Sequence, residues 1–164
     1  MMQVVPKVRI GTPILEDFAY LARNMRPDEI DQFVAMTGVG EYNPDIAARC
    51  LAAIPGYTWV LVGEDGLPFL VGGFQPIRPG VYEGWLAGTM AGWERHGFAI
   101  TRICRRQMDA LLRTEAHRVQ IPALASRTAA HVWYERGLGM TREGRMPGYC
   151  ADGRDAELFG KVRT

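Results

Sequence analysis

The stretch of sequence that decides the fold is Ser126–Arg163, which reads SRTAAHVWYERGLGMTREGRMPGYCADGRDAELFGKVR. Ser126 predicts a helix N-cap, because a serine hydroxyl can accept a hydrogen bond from a free N–H of the first turn. Small and apolar residues recur after it at helical spacing, at Ala130, Trp133, Tyr134 and Gly137. The same spacing leaves three charged residues on the wet side, Arg127, Glu135 and Arg136. Gly137 and Gly139 can end the helix with a positive φ, so the pattern predicts a short helix with a tight exit.

Two strands are predicted after this helix. Met140–Tyr149 and Asp155–Val162 flank the segment CADGR, in which Asp152-Gly153 is a strong turn signal. The C-terminal quarter of the chain therefore predicts a helix followed by a strand pair.

The rest of the chain supplies the other elements of a mixed α/β fold. The predicted elements are, in order, a strand at Gln3–Ile10, helices at 15–25, 27–37 and 44–54, strands at Tyr57–Val62, Phe69–Phe74 and Val81–Ala87, a long helix ending near Arg113, and a strand at Val119–Leu124. The first two of the three adjacent strands enclose a hairpin turn, GEDG, at 63–66. This order predicts a central, largely antiparallel mixed sheet of about six to seven strands with helices on both faces.

Composition limits the classes of protein that fit. At 164 residues without repeats or a low-complexity linker, the chain is expected to be a single domain, 1–164. No apolar run approaches the ~20 residues of a membrane helix, and the first residues lack the pattern of a signal peptide. Cys50, Cys104 and Cys150 are scattered, which argues against a disulfide framework or a zinc knuckle and suits a reducing cytoplasm.

Charge is unevenly distributed along the chain. Residues 1–93 carry 6 Lys/Arg and 10 Asp/Glu, whereas residues 94–164 carry 13 and 8. The basic part can attract an anionic cofactor such as a nucleotide, or it can simply be a solvated arginine-rich helix face. Nucleic acid is not expected as a partner, because no basic run is interleaved with aromatic residues.

The order of elements and the closing segment resemble the GNAT superfamily of N-acetyltransferases. The resemblance implies acetyl-CoA as the acyl donor, held between the strands Val81–Ala87 and Val119–Leu124, and direct transfer to a small-molecule or peptide amine. It also implies that the backbone N–H groups of the first of these strands polarise the thioester carbonyl. The resemblance leaves open whether the chain forms a homodimer, which the terminal hairpin often mediates in the superfamily.

The family binds the diphosphate of the cofactor at the start of its long helix, where free N–H groups and a partial positive charge are available. Its motif is Gln/Arg-x-x-Gly-x-Gly/Ala, and the nearest match here is Glu94-Arg95-His96-Gly97-Phe98-Ala99. The resemblance therefore assigns cofactor binding to Arg95, His96, Gly97, Phe98 and Ala99. Glu94 departs from the motif and brings a negative charge to the expected phosphate site.

Two residues are predicted to be catalytic. Active members of the family often carry a tyrosine four residues before the closing glycine, and its hydroxyl protonates the departing thiolate. Glu135 occupies that place here, and Tyr134 lies one residue earlier, a rotation of about 100° on a regular helix. Tyr134 therefore has two interpretations, as the general acid or as a core residue. Glu83 has two as well, as a general base in the cleft or as an exposed carboxylate at a strand edge.

No metal site is predicted. His96, His117 and His131 share no ligand spacing. Cys104 falls on the apolar face of the long helix and is expected to lie in the core.

A narrower similarity is to GNAT-like internal virion proteins of tailed phages. It covers WLAGT at 85–89, ERH at 94–96, ITRICRRQMDALL at 100–112 and SRTAAHVWYERGLGM at 126–140. It implies a second function class, a structural or assembly module with little catalysis. Its partners would be other virion proteins, and its location the host cytoplasm or the virion.

Overall fold

A computed structural model describes residues 6–164 and contains one seven-stranded mixed sheet. The strands are β1 (Arg9–Gly11), β2 (Tyr57–Val62), β3 (Pro68–Arg78), β4 (Val81–Gly88), β5 (Arg118–Leu124), β6 (Thr141–Met146) and β7 (Ala156–Val162). They lie in the order β1-β2-β3-β4-β5-β7-β6, and every neighbouring pair is antiparallel except β4 with β5. The predicted fold class is confirmed. The beginning of the predicted strand Gln3–Ile10 falls outside the described residues.

Five α-helices connect or flank these strands. They are α1 (Leu15–Asn24), α2 (Pro27–Thr37), α3 (Pro44–Ala52), α4 (Met90–Thr114) and α5 (Thr128–Val132), and α5 continues directly into a π-helical turn, Trp133–Gly137. Proline opens both α2 and α3, at positions where its missing N–H is not needed. Asn43 caps α3, since its side chain accepts hydrogen bonds from the N–H groups of Asp45 and Ile46.

The helices cover both faces of the sheet. One face packs on α4 and the π-turn, around the fully buried side chains of Leu70, Ile100 and Phe159. The other face packs under α1 and α3 and buries Leu21 and Val71. Because side chains alternate along a strand, β4 contributes to both cores. The predicted arrangement, with helices on both faces of the sheet, therefore follows mostly from the spacing of apolar residues along the helices and strands.

Several predicted boundaries are wrong in detail. Ser126 does not cap a helix with its side chain, because α5 begins at Thr128 and Arg127 occupies the N-cap position. Arg127 is not on the wet side either, since only 8% of it is exposed. The strand predicted at Met140–Tyr149 covers only Thr141–Met146.

The two predicted turns are present. The GEDG hairpin closes through a hydrogen bond from Gly66 N–H to the carbonyl of Gly63, and Gly66 has a φ of 78°. In the second turn Gly153 has a φ of 90°, a conformation that glycine adopts without strain. The Asp152 side chain accepts the N–H of Arg154 there, which fixes the turn locally.

Candidate functional site

The candidate site is a cleft formed where two parallel strands separate. β4 and β5 pair only at Val81↔Arg118, Tyr82↔Val119 and Glu83↔Gln120, and beyond these positions they diverge. The gap opens into a cavity of about 570 Å³, with walls from α2 and α3 on one face of the sheet and from α4 and the π-turn on the other.

Glu83 lies at the closed end of this cleft, in the last paired position of β4. Burial raises the pKa of its half-buried carboxyl, although a hydrogen bond from Gln120 opposes the shift. Tyr149 lines the same cavity. The structure therefore places Glu83 on a strand that lines the cleft, and burial makes its carboxylate a stronger base than that of an exposed glutamate.

Tyr134 lines the cleft from the other side. It is 4% exposed, and its ring packs on Phe159 with centroids 5.3 Å apart. Burial raises the pKa of its hydroxyl, while Arg127 opposes the shift with its charge and a hydrogen bond. The hydroxyl therefore stays protonated at neutral pH.

The π-turn explains how Tyr134 reaches the cleft. Its hydrogen bonds run from Leu138 N–H to the carbonyl of Trp133, and Met140 N–H reaches the carbonyl of Tyr134. A turn closed by an i→i+5 bond holds one residue more than an α-helical turn. Tyr134 lies five positions before Gly139. Because the turn holds one extra residue, Tyr134 faces the side of the helix that a residue four positions before Gly139 would face in a regular α-helix. The expected misplacement of Tyr134 assumed regular α-helical counting, which does not hold here.

Side chains of α2 span the open end of the cleft. Glu29 Oε2 accepts the N–H of Gly88, the last residue of β4, at 3.1 Å. Gln32 Oε1 accepts the N–H of Leu124, the last residue of β5, at 3.0 Å. Arg127 joins this group by donating to Gln32 Oε1 at 2.7 Å. The separated ends of the two strands are thus held by one helix, and we name these three side chains (Glu29, Gln32 and Arg127) the α2 bridge.

The α2 bridge was not predicted from the sequence. Asp28 and Glu29 have the pattern of ordinary acidic residues in a first helical turn. Their partners lie 59 to 99 positions away in the chain, and no local pattern encodes such contacts. The pKa of Glu29 is raised by burial, with Arg26 and the Gly88 N–H opposing that effect.

Two tryptophans form further walls of the cavity. Trp59 and Trp85 lie against glycines of β3, where a Cβ on Gly72 or Gly73 would come within 2.8 Å of an indole atom. The Nε1 atoms of both indoles are buried and have no hydrogen-bond partner among the described residues.

The predicted cofactor-binding segment lies outside the cleft lining. The long helix begins earlier than expected, at Met90, with the Thr89 side chain accepting the N–H of Gly92 at 2.9 Å. His96 sits inside α4 at a kink, with φ −123° and ψ 18°, and its ring stacks on Phe69 with centroids 4.2 Å apart. Burial lowers the pKa of this histidine.

The neighbours of His96 face solvent. Arg95 is exposed, Gly97 has open space where a Cβ would stand, and Phe98 is 96% exposed. Ala99 is half-buried on the same turn. The structure therefore brings Glu83 and Tyr134 together at one cleft and places residues 95–99 beyond its lining.

Residues 6–164 hold no cluster of three or more His, Cys, Asp or Glu side chains arranged for a metal ion. None of the helices in this part of the chain has the length and apolar character needed to cross a bilayer. Cys104 is buried in the core as expected, and burial raises the pKa of its thiol to about 12.

Comparisons with known proteins find similar structures but no matching sequence family. No family model and no curated protein matches the sequence. An acetyltransferase of the GNAT family from Bacillus anthracis superposes with a TM-score of 0.70 at 13% identity, over 95% of both chains. The ribosomal-protein-S18-alanine N-acetyltransferase of Escherichia coli gives 0.68 at 15% identity, covering 96% of this chain and 95% of the other.

A variant of the spermidine N-acetyltransferase SpeG of Vibrio cholerae gives 0.68 at 11% identity, covering 95% of this chain and 94% of the other. Sequence identities this low indicate only that the architecture is shared. The superposition covers nearly the whole length of the chain. It therefore includes the parallel strands β4 and β5, which separate around the cleft, as well as the meander β2–β4 and the terminal hairpin β6–β7. This protein has the fold of the GNAT acetyltransferases.

Proposed function

We propose that the protein is a coenzyme A-dependent N-acyltransferase that passes an acyl group directly to an amine within the β4/β5 cleft. The observation that carries the proposal is the placement of Glu83 and Tyr134 on the same cavity, one at its closed end and one on its wall. Direct transfer needs a group that accepts a proton and a group that donates one, both within reach of the same small volume.

The edge of β4 fits the thioester arm of coenzyme A. Thr89 N–H bonds to the carbonyl of Phe69 on β3, while Gly88 N–H points the other way. Since N–H groups alternate along a strand, those of Gly84 and Leu86 also point away from β3, past the last pair with β5. These two donors are suited to a carbonyl that enters the cleft. The predicted diphosphate site at residues 94–99 provides fewer groups for the cofactor, and the exposed cation there is Arg95.

The chain's own groups would divide the proton transfers between them. Coenzyme A would supply the acyl group as a thioester. The Glu83 carboxylate takes a proton from the amine, and its raised pKa makes it a stronger base than an exposed glutamate. Tyr134 Oη holds the proton that the departing thiolate would take up when the acyl group passes to the amine.

Binding is the first test. Calorimetric titration with acetyl-CoA should show saturable binding by the wild-type protein. Gly97→Glu places a carboxylate at the predicted diphosphate site and should abolish binding, whereas Gly40→Glu, at another glycine with open space, should leave it unchanged. Absence of binding at millimolar acetyl-CoA would rule out the proposal.

Turnover is the second test. Release of free thiol would be followed with a polyamine, a lysine peptide and a peptide with a free N-terminus as acceptors. Glu83→Gln should lower kcat/KM by about 10²- to 10⁴-fold, and Tyr134→Phe should lower kcat. The acid limb of the wild-type pH profile should have its midpoint above the ordinary glutamate value of 4.5, because burial raises the pKa of Glu83. Full turnover by Glu83→Gln would contradict its role as the base.

A second candidate function is a non-catalytic interaction module, such as a virion or assembly protein. The observation that favours it is the occupied end of the β4 edge: Arg26 N–H donates to the carbonyl of Gly88 at 3.1 Å, and Glu29 takes its N–H. A thioester arm lying along β4 would have to displace both contacts. This candidate predicts no acetyl-CoA binding and retention of the protein in purified particles, if its source is a phage.

A further inference from the structure

The solvent face of α4 carries a row of arginines and one fully exposed aromatic ring. Arg102, Arg106 and Arg113, the arginine row, are exposed, and Phe98 precedes them with 96% of its surface accessible. At about 100° per residue, these four residues fall within an arc of about 80° on one side of the helix. The row and Phe98 together extend about 22 Å along the helix axis, at 1.5 Å per residue.

The positive charge of this face is not neutralised within the protein. Among the described residues, the guanidinium groups of the arginine row form no ion pair and no side-chain hydrogen bond. Asp109 lies on the same face, but its Oδ1 already binds Lys161 Nζ at 3.0 Å. Arg105 flanks the row and is exposed as well. The face thus offers several free cations to an anionic partner.

Phe98 adds a feature that charge alone does not explain. Its ring packs against nothing that would bury it, although most phenylalanines of the chain lie in the core. It stands one helical turn before Arg102, just after the kink at His96. An exposed aromatic ring beside a line of cations is the arrangement that binds single-stranded nucleic acid, because bases stack on the ring while phosphates follow the cations.

We propose that this face of α4 binds single-stranded nucleic acid. The arginine row contacts successive phosphates, for which the forked guanidinium group is well matched, and Phe98 stacks on a base. A second copy of the chain is a poor occupant, since it would bring like charges together. An acidic protein segment would neutralise the arginines, but it would offer no base on which the Phe98 ring could stack.

The sequence suggests an arginine-rich helix face, but it does not show that Phe98 lies on that face. The aromatic residue and the arginines are separated by three to six other residues, so no basic run with interleaved aromatics is visible. Helical spacing brings them to one side. Phe98 belongs to the segment 95–99 that the resemblance assigns to the cofactor, whereas the arginine row lies away from the cleft, which α4 lines with Cys104 and Met108 on its opposite, buried face.

Fluorescence anisotropy with a labelled 20-nucleotide single strand, titrated with the full chain at several salt concentrations, tests the proposal. Three phosphate contacts predict a log–log salt slope of about −2, at about −0.7 per contact. Arg102→Glu/Arg106→Glu should weaken binding at least tenfold and flatten the slope, and Phe98→Ala should weaken it at least about fivefold. Arg102→Gln/Arg106→Gln repeats the test with neutral residues, and circular dichroism checks that each variant is folded.

The matched control is Arg23→Glu/Arg49→Glu, which changes the same charge at two exposed arginines of α1 and α3. Its affinity should stay within about twofold of the wild type. Four results would overturn the proposal: no binding at low salt, equal binding of a duplex, equal binding of poly-glutamate, or displacement of the strand by equimolar coenzyme A. The last result would assign the arginines to the phosphates of a cofactor.

Discussion

At the scale of single residues, the two tryptophan walls of the cleft depend on glycines of β3. A Cβ on Gly73 would lie 2.4 Å from the carbonyl oxygen of Tyr57 and 2.8 Å from Trp85 Nε1. Backbone cannot move aside as a flexible side chain can, so this position excludes any larger residue. The shape of the cavity is therefore set partly by residues without side chains.

We expect Gly73→Ala to destabilise the protein by about 2 kcal/mol or more, because it forces the strand and the indole apart. Thermal unfolding followed by circular dichroism measures the change. Gly97→Ala is the matched control: its Cβ would meet nothing, and alanine favours a helix by about 0.5–1 kcal/mol over glycine. An unchanged melting temperature for Gly73→Ala would contradict the close approach.

Glu29 makes stability depend on pH. Burial raises the pKa of its carboxyl above the ordinary value of 4.5, so the folded state holds the proton more tightly than the unfolded state. Its contribution to the free energy of unfolding is present below pH 4.5 and is lost as the pH rises through the raised value. Glu29→Gln keeps an acceptor for the Gly88 N–H. It should remove the part of the fall in the free energy of unfolding that Glu29 causes as the pH rises.

The measurement is urea unfolding of the wild type and Glu29→Gln from pH 4 to pH 8. Glu41→Gln, at an exposed glutamate, is the control and should follow the wild-type curve. Parallel curves for wild type and Glu29→Gln would show that Glu29 ionises normally.

At this scale the position of Glu83 could be predicted, because the resemblance implies that the central strands of the sheet line the cleft. The structure places Glu83 on that cleft. Arg127 was misjudged, since its hydration was inferred from helix position alone, and the burial of Glu29 was not predicted. Whether a charged side chain is buried depends on partners that are distant in the chain.

At the scale of elements, the π-turn is the feature that positions Tyr134. The turn holds one residue more than an α-helical turn and leaves Glu135 and Arg136 exposed. The exposure of Glu135 and Arg136 and the burial of Tyr134 agree with the helical spacing of the sequence. The extra residue of the turn before Gly139 was not predicted, because counting along the sequence assumes a regular α-helix.

Deletion of Glu135 should be tolerated, with a loss of about 1 kcal/mol or less. The deletion converts the π-turn to an α-helical turn and leaves Tyr134 four residues before the glycine, so the tyrosine keeps its side of the helix. Chemical unfolding and tyrosine accessibility are the measurements. Deletion of Arg106, exposed in the regular helix α4, is the control and should prevent folding, because it rotates half of a buried face by about 100°.

At the scale of the whole molecule, the sheet consists of two parts joined at a narrow seam. Strands β1–β4 and strands β5, β7 and β6 meet through three residue pairs of β4 with β5. The α2 bridge adds a second connection at the opposite end of the cleft. The order of elements was predicted from local patterns, whereas the width of the cleft was not, because it depends on contacts between elements far apart in the chain.

The α2 bridge predicts a specific pattern of hydrogen exchange. The amides of Gly88 and Leu124 lie beyond the paired part of β4 and β5, yet both should be protected, since side chains of α2 accept their hydrogen bonds. In Gln32→Ala the Leu124 amide should exchange at least about tenfold faster, and the Gly88 amide should be unchanged.

Gln107→Ala provides the comparison, because this half-buried glutamine lies on α4 away from the strand ends. Neither amide should respond to it. Equal exchange of Leu124 in the wild type and Gln32→Ala would mean that α2 does not hold β5.

The narrow seam also orders the events of folding. To form it, the chain must close the long crossover through α4, and only three residue pairs repay the entropy of that closure. The hairpins β2–β3, β3–β4 and β6–β7 on either side close short loops, and each step forms many pairs. We therefore expect these hairpins to form before the seam, so that the cleft between the two parts of the sheet appears late in folding.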